Sequence, residues 1–562
     1  MTVENLITEH IDIWTSAVKT KSASGRGSNK KLELYGVKKL RELILELAVR
    51  GKLVPQDPND EPASLLLERI AQEKAQLVKE KKIKKPKALQ TLSPESLPRL
   101  PESWTWSHMQ DITEYVQRGK GPKYAEEGSV RVISQKCVQN SGFDIEPARY
   151  IEEESLEKYQ YERFLRENDL LWNSTGTGTV GRVNVLPTIK QKSLVADSHV
   201  TVVRPLIMSS RYIWCILMAP GVQARIDPFH EQSLVSGSTK QVELNTSSVV
   251  TLPIPVAPIA EQHRIVAKVD ELMALCDQLE QQTESSIDAH QVLVTTLLDT
   301  LTNSADADEL MQNWARISEH FDTLFTTEES IDQLKQTILQ LAVMGKLVPQ
   351  DPSDEPAAEL LKRIAEDGDS PKKVRLTKPI SESEEPLTLP TGWVFTRLES
   401  IIQISSGKNL TAKKMDSNGT IPVYGGNGVT GYHSENNVSE PTIVIGRVGF
   451  YCGSVHLTPK KAWVTDNAFV TKFSHSNLNL EFLFWLLKAT NLNENDSATA
   501  QPVISGRKVY PIVVGLPPLN EQARIVAKLN ELMAMCDFLK QSFSEHTSTQ
   551  LLLTNTIVEH AV

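Results

Sequence analysis

The sequence predicts a mixed α/β protein. Two compact α/β domains are separated by an antiparallel coiled coil of long helices, related by a pseudo-two-fold axis and arranged circularly. Three observations predict this. The segment Ile44–Ala63 returns as Ile338–Ala357, 294 residues later, with only Glu46/Gln340, Arg50/Met344 and Asn59/Ser353 differing. The segment Glu261–Asp277 returns as Glu521–Asp537, 260 residues later. A near-verbatim internal repeat marks a molecule of two related halves. The two offsets differ by 34 residues, so a fixed frame holds two inserts of unequal length. Finally, the middle of the chain runs from the second repeat straight into the first, whereas at the ends that order is split. The terminal segments must therefore pack together to rebuild what the centre carries in one piece. Two weaker matches, Ile7–Asp12 with Ile317–Asp322 and His290–Thr295 with Thr549–Thr554, extend the pattern.

The expected domains are a helical N-terminal segment (1–98), a first insert (99–257), a central helical region holding a coiled-coil spacer and a linker (258–387), a second insert (388–517) and a C-terminal coiled-coil helix (518–562). Val37, Leu40, Ile44 and Leu47 form a helical stripe, mirrored by Ile331, Leu334, Ile338 and Leu341. Gly51 and Gly345 follow as helix-ending glycines, and Asp57-Pro58 and Asp351-Pro352 turn the chain. Pro62 and Pro356 open further helices, Ala63 to about Glu80 and Ala357 to about Ala365, which decay into polar linkers. The inserts open alike, Leu100-Pro-Glu-Ser-Trp104 against Leu389-Pro-Thr-Gly-Trp393. Inside them, 130–133, 200–203, 442–445 and 469–473 read as short strands, and 212–218 and 481–487 as buried helices. Pro258 and Pro518 precede helices whose apolar positions recur at the 4-3-4-3 spacing of a coiled-coil seam: Ile265, Val269, Leu272, Cys276 and Leu279, then Ile525, Leu529, Leu532, Cys536 and Leu539.

Composition excludes several classes. No apolar run approaches membrane-spanning length, and the N-terminus lacks the basic start and apolar core of a signal peptide. Five scattered cysteines without a C-x-x-C pair fit a reducing cytoplasm and argue against a zinc site. There is no G-x-x-x-x-G-K-[ST] phosphate loop, no N-P-P-Y or D-P-P-Y segment and no H-E-x-x-H. The doubled Asp57/Asp60/Glu61 and Asp351/Asp354/Glu355 sit beside prolines, as turn and helix-start residues do. His263 becomes Ala523 in the other copy, so no role is required of it in both halves. These absences read as a non-catalytic chain. The formal net charge is −10, yet residues 389–517 carry +3 and residues 99–252 only −1, so the acidic excess lies in the helical frame. The run Lys79, Lys81, Lys82, Lys84, Lys85 and Lys87 reads as a solvated tail or as a phosphate contact.

The doubled G-K-L-V-P-Q-D-P-x-D-E-P-A at Gly51 and Gly345 is the first motif to carry a family resemblance. The doubled P-x-x-E-Q-x-R-I-V-A-K at Pro258 and Pro518 and the L-P-x-x-W openings are the others. Over essentially its whole length the chain resembles the specificity subunit of type I restriction–modification systems. The resemblance implies two target-recognition domains, each reading one half of a split double-stranded DNA site. It implies helices that space them like a ruler and dock two methyltransferase subunits. Two restriction (motor-nuclease) subunits would complete the complex. It implies no cofactor on this chain, S-adenosylmethionine on the methyltransferase partner, and ATP and Mg on the motor-nuclease partner. It also implies host defence through DNA methylation, in the cytoplasm with no membrane partner.

DNA contacts are then expected on loops of the inserts. The loop Asn173–Arg182 offers Ser174, Thr175, Thr177 and Arg182, and its counterpart Ile445–Ser454 offers Arg447. Glycines let a backbone approach phosphate closely, although the same pattern also reads as a tight hairpin. Ser236–Lys240, with Ser238 and Lys240, is matched to Ser505–Lys508, where Arg507 has the geometry to read guanine and Lys508 adds charge. Arg118, Lys120 and Lys123 match Lys408, Lys413 and Lys414 as phosphate contacts, and Asp197-Ser-His199 and Asp466-Asn467 orient a loop or read a base. Competing readings are a coiled-coil assembly scaffold whose inserts bind protein, and an enzyme with a disguised catalytic centre.

Overall fold

The computed structural model describes residues 3–21, 31–93, 95, 97–157, 159–176, 178–238, 241–305, 307–366, 379–385, 387–416, 418–449, 452–492 and 503–562. The chain divides into two compact units, Met1–Ser285 with Thr547–Val562, and Ser286–His546. The first unit is discontinuous in sequence, so the expected rejoining of the terminal segments occurs inside it. Tyr35 Oη donates to Asn555 Oδ1 (2.7 Å), and Lys52 Nζ donates to the Val562 carbonyl oxygen (2.6 Å).

Two long helices, Ile259–Asn303 and Leu519–Ala561, each give their head to one unit and their tail to the other. In each unit a shorter helix, here called a strut, touches one head and one tail. The first strut is Tyr35–Val49; its Arg41 reaches Asp277 and Glu280 on a head (2.7 Å each). The second strut is Glu328–Val343; its Lys335 reaches Asp537 (2.5 Å) and its Gln333 reaches Thr295 (3.3 Å). From the first strut onward through Gln56, partners descend from Glu280 to Glu261 on the head and climb from Asn555 to Val562 on the tail. Head and tail are therefore antiparallel. The seam positions Ile265, Val269, Leu272, Cys276, Leu279, Ile525, Leu529, Leu532 and Cys536 are buried, and Leu539 is partly so. The seam takes a third helix that its spacing did not announce: in the second unit Ile525, Leu529 and Cys536 share one core with Ile331, Leu334 and Ile338 of the strut and Val294, Leu298 and Leu301 of the tail. Burial also corrects the weaker repeat. Val294 and Thr554 are the matching buried positions, so the tails keep the 260-residue offset and the match of His290–Thr295 to Thr549–Thr554 is one residue out of register.

The duplicated motifs meet at one place in each unit. After the first strut, Gly51 turns left-handed (φ +66°), and Lys52 N closes on Leu47 O (2.9 Å). A Cβ on Gly51 would fall 2.5 Å from the Pro101 ring. Gly345 (φ +70°) repeats this against Pro390. The Glu-Gln-x-Arg motif then ties three segments together. Buried Glu261 accepts from Trp104 Nε1 (2.9 Å) and Gln56 Nε2 (2.5 Å), and Arg264 Nη2 pairs with Asp60 (2.6 Å). Gln262 accepts from Ser209 N (3.1 Å), fixing the start of the helix Ser210–Met218. Glu521 repeats the contact with Trp393 (3.0 Å), Arg524 with Asp354 (2.7 Å), and Gln522 with Asn479 N (2.9 Å) ahead of the helix Leu480–Ala489. His263, the position that changes to Ala523, is exposed.

Each insert enters and leaves on a single antiparallel strand pair, Thr105–His108 with Pro253–Val256 and Val394–Arg397 with Val513–Leu516. Between them two unlike sequences build one topology. The first four-stranded antiparallel sheet runs Val183–Val185, Leu170–Asn173, Val200–Pro205, Thr113–Arg118; the second runs Val455–Leu457, Ile443–Gly446, Ala468–Lys472, Gln403–Ser406. Beside each lies a smaller sheet with one parallel pair, Arg131–Ile133 with Leu194–Ala196 and Ile421–Gly425 with Trp463–Val464. Among the described residues no helix is long and apolar enough to cross a membrane. Among the described residues the strand pair Val18–Lys21 with Lys31–Leu34 has no equivalent in the second unit, which passes from Leu324 to its strut in a short turn.

Candidate nucleic-acid interface

Both inserts carry a glycine-rich loop directly after a central strand of the four-stranded sheet. In the first, Asn173 is buried and donates through Nδ2 to the carbonyls of Gln135 and Val138 (3.0 and 3.2 Å). Gly176, Gly178 and Gly181 have φ of +96°, +84° and +90°, a conformation that strains any side chain. Thr175 Oγ1 lies 2.6 Å from His199 Nδ1, and the His199 backbone N–H donates to Asp197 (2.8 Å), whose carboxyl burial pushes up. In the second insert, Gly446 and Ser454 close the loop (2.8 Å), Gly449 and Gly453 are left-handed (φ +100° and +87°), and Arg447 N donates to Asn467 O (2.9 Å).

Several sequence-predicted contacts turn out to be the loop's foundations. Ser174 is buried, and its hydroxyl is engaged by Thr201 Oγ1 (2.5 Å) and the Trp172 carbonyl (3.2 Å), so it offers nothing outward. Arg182 splints the loop, donating to Gln139 Oε1 (2.8 Å) and Gly178 O (2.7 Å). Arg118 pairs with Glu243 and reaches Ser174 O (3.5 Å). Arg447 donates to Ser406 Oγ (3.0 Å), its guanidinium 5.4 Å from the Phe469 ring centre. An arginine beside a tight glycine turn reads as a phosphate contact in sequence; here a carbonyl of the turn itself engages Arg182, and Ser406 and the Asp466 carbonyl (3.4 Å) engage Arg447.

The lysines fare differently. Gly119 and Gly407 occupy equivalent places, where a Cβ would fall 2.1 Å from Asp197 O and 2.3 Å from Val464 O. The following Lys120 and Lys408 dock by their backbone N–H on Ala196 O and Val464 O (3.0 and 2.9 Å) and leave exposed side chains. Lys413 and Lys414 are exposed on the turn Ala412–Lys414, whereas Lys123 stands 3.7 Å from Glu152. Asn467 and Arg507 are exposed, while Lys508 Nζ folds back onto Val503 O (3.0 Å). Thr177, Lys240 and the side chain of Ser238 lie outside the described residues.

The match of Ser236–Lys240 to Ser505–Lys508 does not survive. Leu244 N donates to Ser174 O just as Ile504 N donates to Arg447 O, and the bridge Thr175–Glu243 corresponds to Val448–Val503. Ser505–Lys508 is thus the counterpart of Asn245–Ser248. The strand pair Val235–Ser238 with Gln241–Leu244 has no described equivalent in the second unit.

Sequence reading also missed an antiparallel ribbon beside each loop, a separate two-stranded sheet in the first insert and two adjacent strands of a three-stranded sheet in the second. The first is Val138–Gln139 with Gly142–Phe143; the second is Ile421–Gly425 with Gly428–His433. Their turns, Gln-Asn-Ser-Gly and Gly-Gly-Asn-Gly, carry the hairpin chemistry that would have found them. Among the described residues no cluster of His, Cys, Asp and Glu is arranged to hold a metal.

Residues 101–289 and 390–545 each match the type I restriction modification DNA specificity domain. The chain is 39% identical to the EcoAI specificity subunit of Escherichia coli over 100% of both chains. It is 37% identical to the EcoEI specificity subunit of the same organism, again over 100% of both. A solved chain described under "Structural basis underlying complex assembly and conformational transition of the type I R-M system" superposes on 83% of this chain and 99% of its own, with a TM-score of 0.51 at 16% identity, a likeness of fold. Full-length kinship and a domain matched twice carry one conclusion: the chain belongs to the family of type I restriction–modification DNA specificity subunits.

Proposed function

We propose that residues 99–257 and 388–517 are the target-recognition domains of this non-catalytic specificity subunit, each reading one half of a bipartite duplex site. The long helices and struts set the gap between half-sites and dock two methyltransferase subunits, and two motor-nuclease subunits complete the cytoplasmic assembly. S-adenosylmethionine is held by the methyltransferases, and ATP and Mg by the motor-nuclease. The observation that carries this reading is one topology, with one braced glycine loop and one exposed Gly-Lys step, built twice from unlike sequences. Two copies of one scaffold with different surfaces suit a split target whose halves differ.

The test is selection of bound sequences from a random duplex library by the chain assembled with its methyltransferase, at stated salt. Two fixed blocks at constant separation are expected. Inserting seven residues into each long helix adds about 10 Å of helix, roughly 3 base pairs at 3.4 Å each, and should widen the gap while leaving both blocks intact. A single block, or no sequence preference, would refute the proposal.

A further inference from the structure

The two ribbons stand where the candidate contacts converge. In the second unit the ribbon's turn lies on the glycine loop: Ser454 Oγ donates to Gly426 O (3.0 Å), and a Cβ on Gly426 would meet Val448 O at 2.6 Å and Asn467 O at 3.4 Å. The lysine turn Ala412–Lys414 leads into Met415, whose sulfur would lie 2.7 Å from a Cβ on Gly431 of the ribbon. On the other side Trp463 meets His433 edge-on, with ring centres 5.3 Å apart, and donates to Lys408 O (3.1 Å). The strand Gly428–His433 is the outer strand of its sheet, with exposed Val429, Thr430 and Tyr432. Lys413 and Lys414 on one side and Lys408 on the other thus border the ribbon formed by two adjacent strands of this three-stranded sheet.

The first unit places a separate, shorter two-stranded ribbon beside its glycine loop, while the strand that matches Ile421–Gly425 there is Arg131–Ile133. Arg182 holds Gln139 Oε1 (2.8 Å), Asn184 Nδ2 holds Gln139 O (2.9 Å), and Asn173 holds Val138 O (3.2 Å), so this turn is also fixed against the glycine loop. At each tip stands one asparagine, Asn140 and Asn427, and both are exposed. Neither side-chain amide has a hydrogen-bond partner among the described residues. An unengaged amide on a rigid turn is prepaid for recognition, because no internal bond must break before it binds.

A two-stranded ribbon fits the major groove of B-DNA, and asparagine pairs bidentately with adenine N6 and N7 there. We infer that each recognition domain lodges its ribbon in the major groove of its half-site, and that Asn140 and Asn427 each read one adenine. The inference rests on the DNA-reading function proposed above and assigns the reading element and base within it. Flanking lysines hold the phosphates, and the glycine loops fix ribbon height.

The experiment is the same library selection with Asn140→Ala and Asn427→Ala in the full assembled complex, with Asn427→Asp as a second variant that keeps the shape and loses the amide donor. Asn427→Ala should lose roughly 5- to 150-fold of discrimination at one A·T pair in one block. Asn140→Ala should do the same in the other block only, and Asn427→Asp should follow Asn427→Ala. Unchanged selection with a bipartite wild-type site would overturn the inference and leave the proposed function standing. Relaxation at a G·C pair, relaxation of both blocks by one variant, or an even loss across all sequences would overturn it as well. A wild-type complex without sequence preference would overturn both.

Discussion

Trp104→Phe tests how an insert is fastened to the frame. The change removes the indole N–H that lies 2.9 Å from Glu261 Oε2, while Gln56 keeps its 2.5 Å bond to Oε1. A hydrogen bond to a charged buried acceptor contributes about 1.5–3 kcal/mol. Because Phe is also smaller than Trp, the bond must be separated from packing by a double-mutant cycle with Glu261→Ala. The readout is amide hydrogen exchange of the strand pair Thr105–His108 and Pro253–Val256, normalised to intrinsic rates. Exchange should rise about 10- to 150-fold in Trp104→Phe, with a coupling of about 1.5–3 kcal/mol in the cycle. The pair Val394–Arg397 with Val513–Leu516 should not change, whereas Trp393→Phe should reverse the pattern. Burial raises the Glu261 carboxyl above its ordinary range against the pull of its two donors. A folded value above the unfolded one gives a contribution that is fully present below the unfolded value and lost as pH rises through the folded value. The defect of Trp104→Phe should therefore shrink as pH falls through that window, since a protonated carboxyl needs its donor less. A coupling near zero, or a defect that grows on acidification, would refute the reasoning.

Arg204→Met strands the buried Asp169, which now takes two bonds of 2.6 and 2.7 Å from the guanidinium. Breaking such a pair costs about 3–5 kcal/mol, so limited proteolysis should cut the first insert faster, and adding Asp169→Leu should restore resistance. Lys413→Ala with Lys414→Ala should weaken DNA binding evenly across sequences. The slope of log affinity against log salt should flatten by roughly 0.9 per lost phosphate contact, read by mobility shift across a salt series. Burial pushes the Cys215 thiol up to about 12 and those of Cys276 and Cys536 to about 11, and all five cysteines are buried and outside any disulfide. Thiolate reagents at pH 8 should then leave the native chain unlabelled and titrate five thiols after denaturation.

The frame was legible in the sequence because it obeys local rules. Helical stripes, left-handed glycines after helices and prolines before them each have one physical reading, and duplication let each be checked against its copy. What the repeat could not supply was the partner of each surface. The seam spacing announced a two-helix pairing, but a stripe records only that it is covered, and the struts share the covering. In the interface, charge alone did not tell which partners a cation has: Arg182 bonds a carbonyl of its own loop and Arg447 bonds Ser406, contacts that no one-dimensional pattern announces. Ser505–Lys508 resembled Ser236–Lys240 in composition, and only the backbone bonds of Leu244 and Ile504 put it in register with Asn245–Ser248. The first ribbon escaped notice because two-residue strands such as Val138–Gln139 have too little alternation to register as strands.

The discontinuity of the first unit has a temporal consequence. On the ribosome, Ser286–His546 is made before Thr547–Val562, whereas the unit containing Met1–Ser285 must wait for Thr547–Val562. The earliest-made half is thus the last to close, and until it does the seam residues of its first long helix lack their tail. A newborn chain in that interval exposes an apolar groove to whatever is nearby.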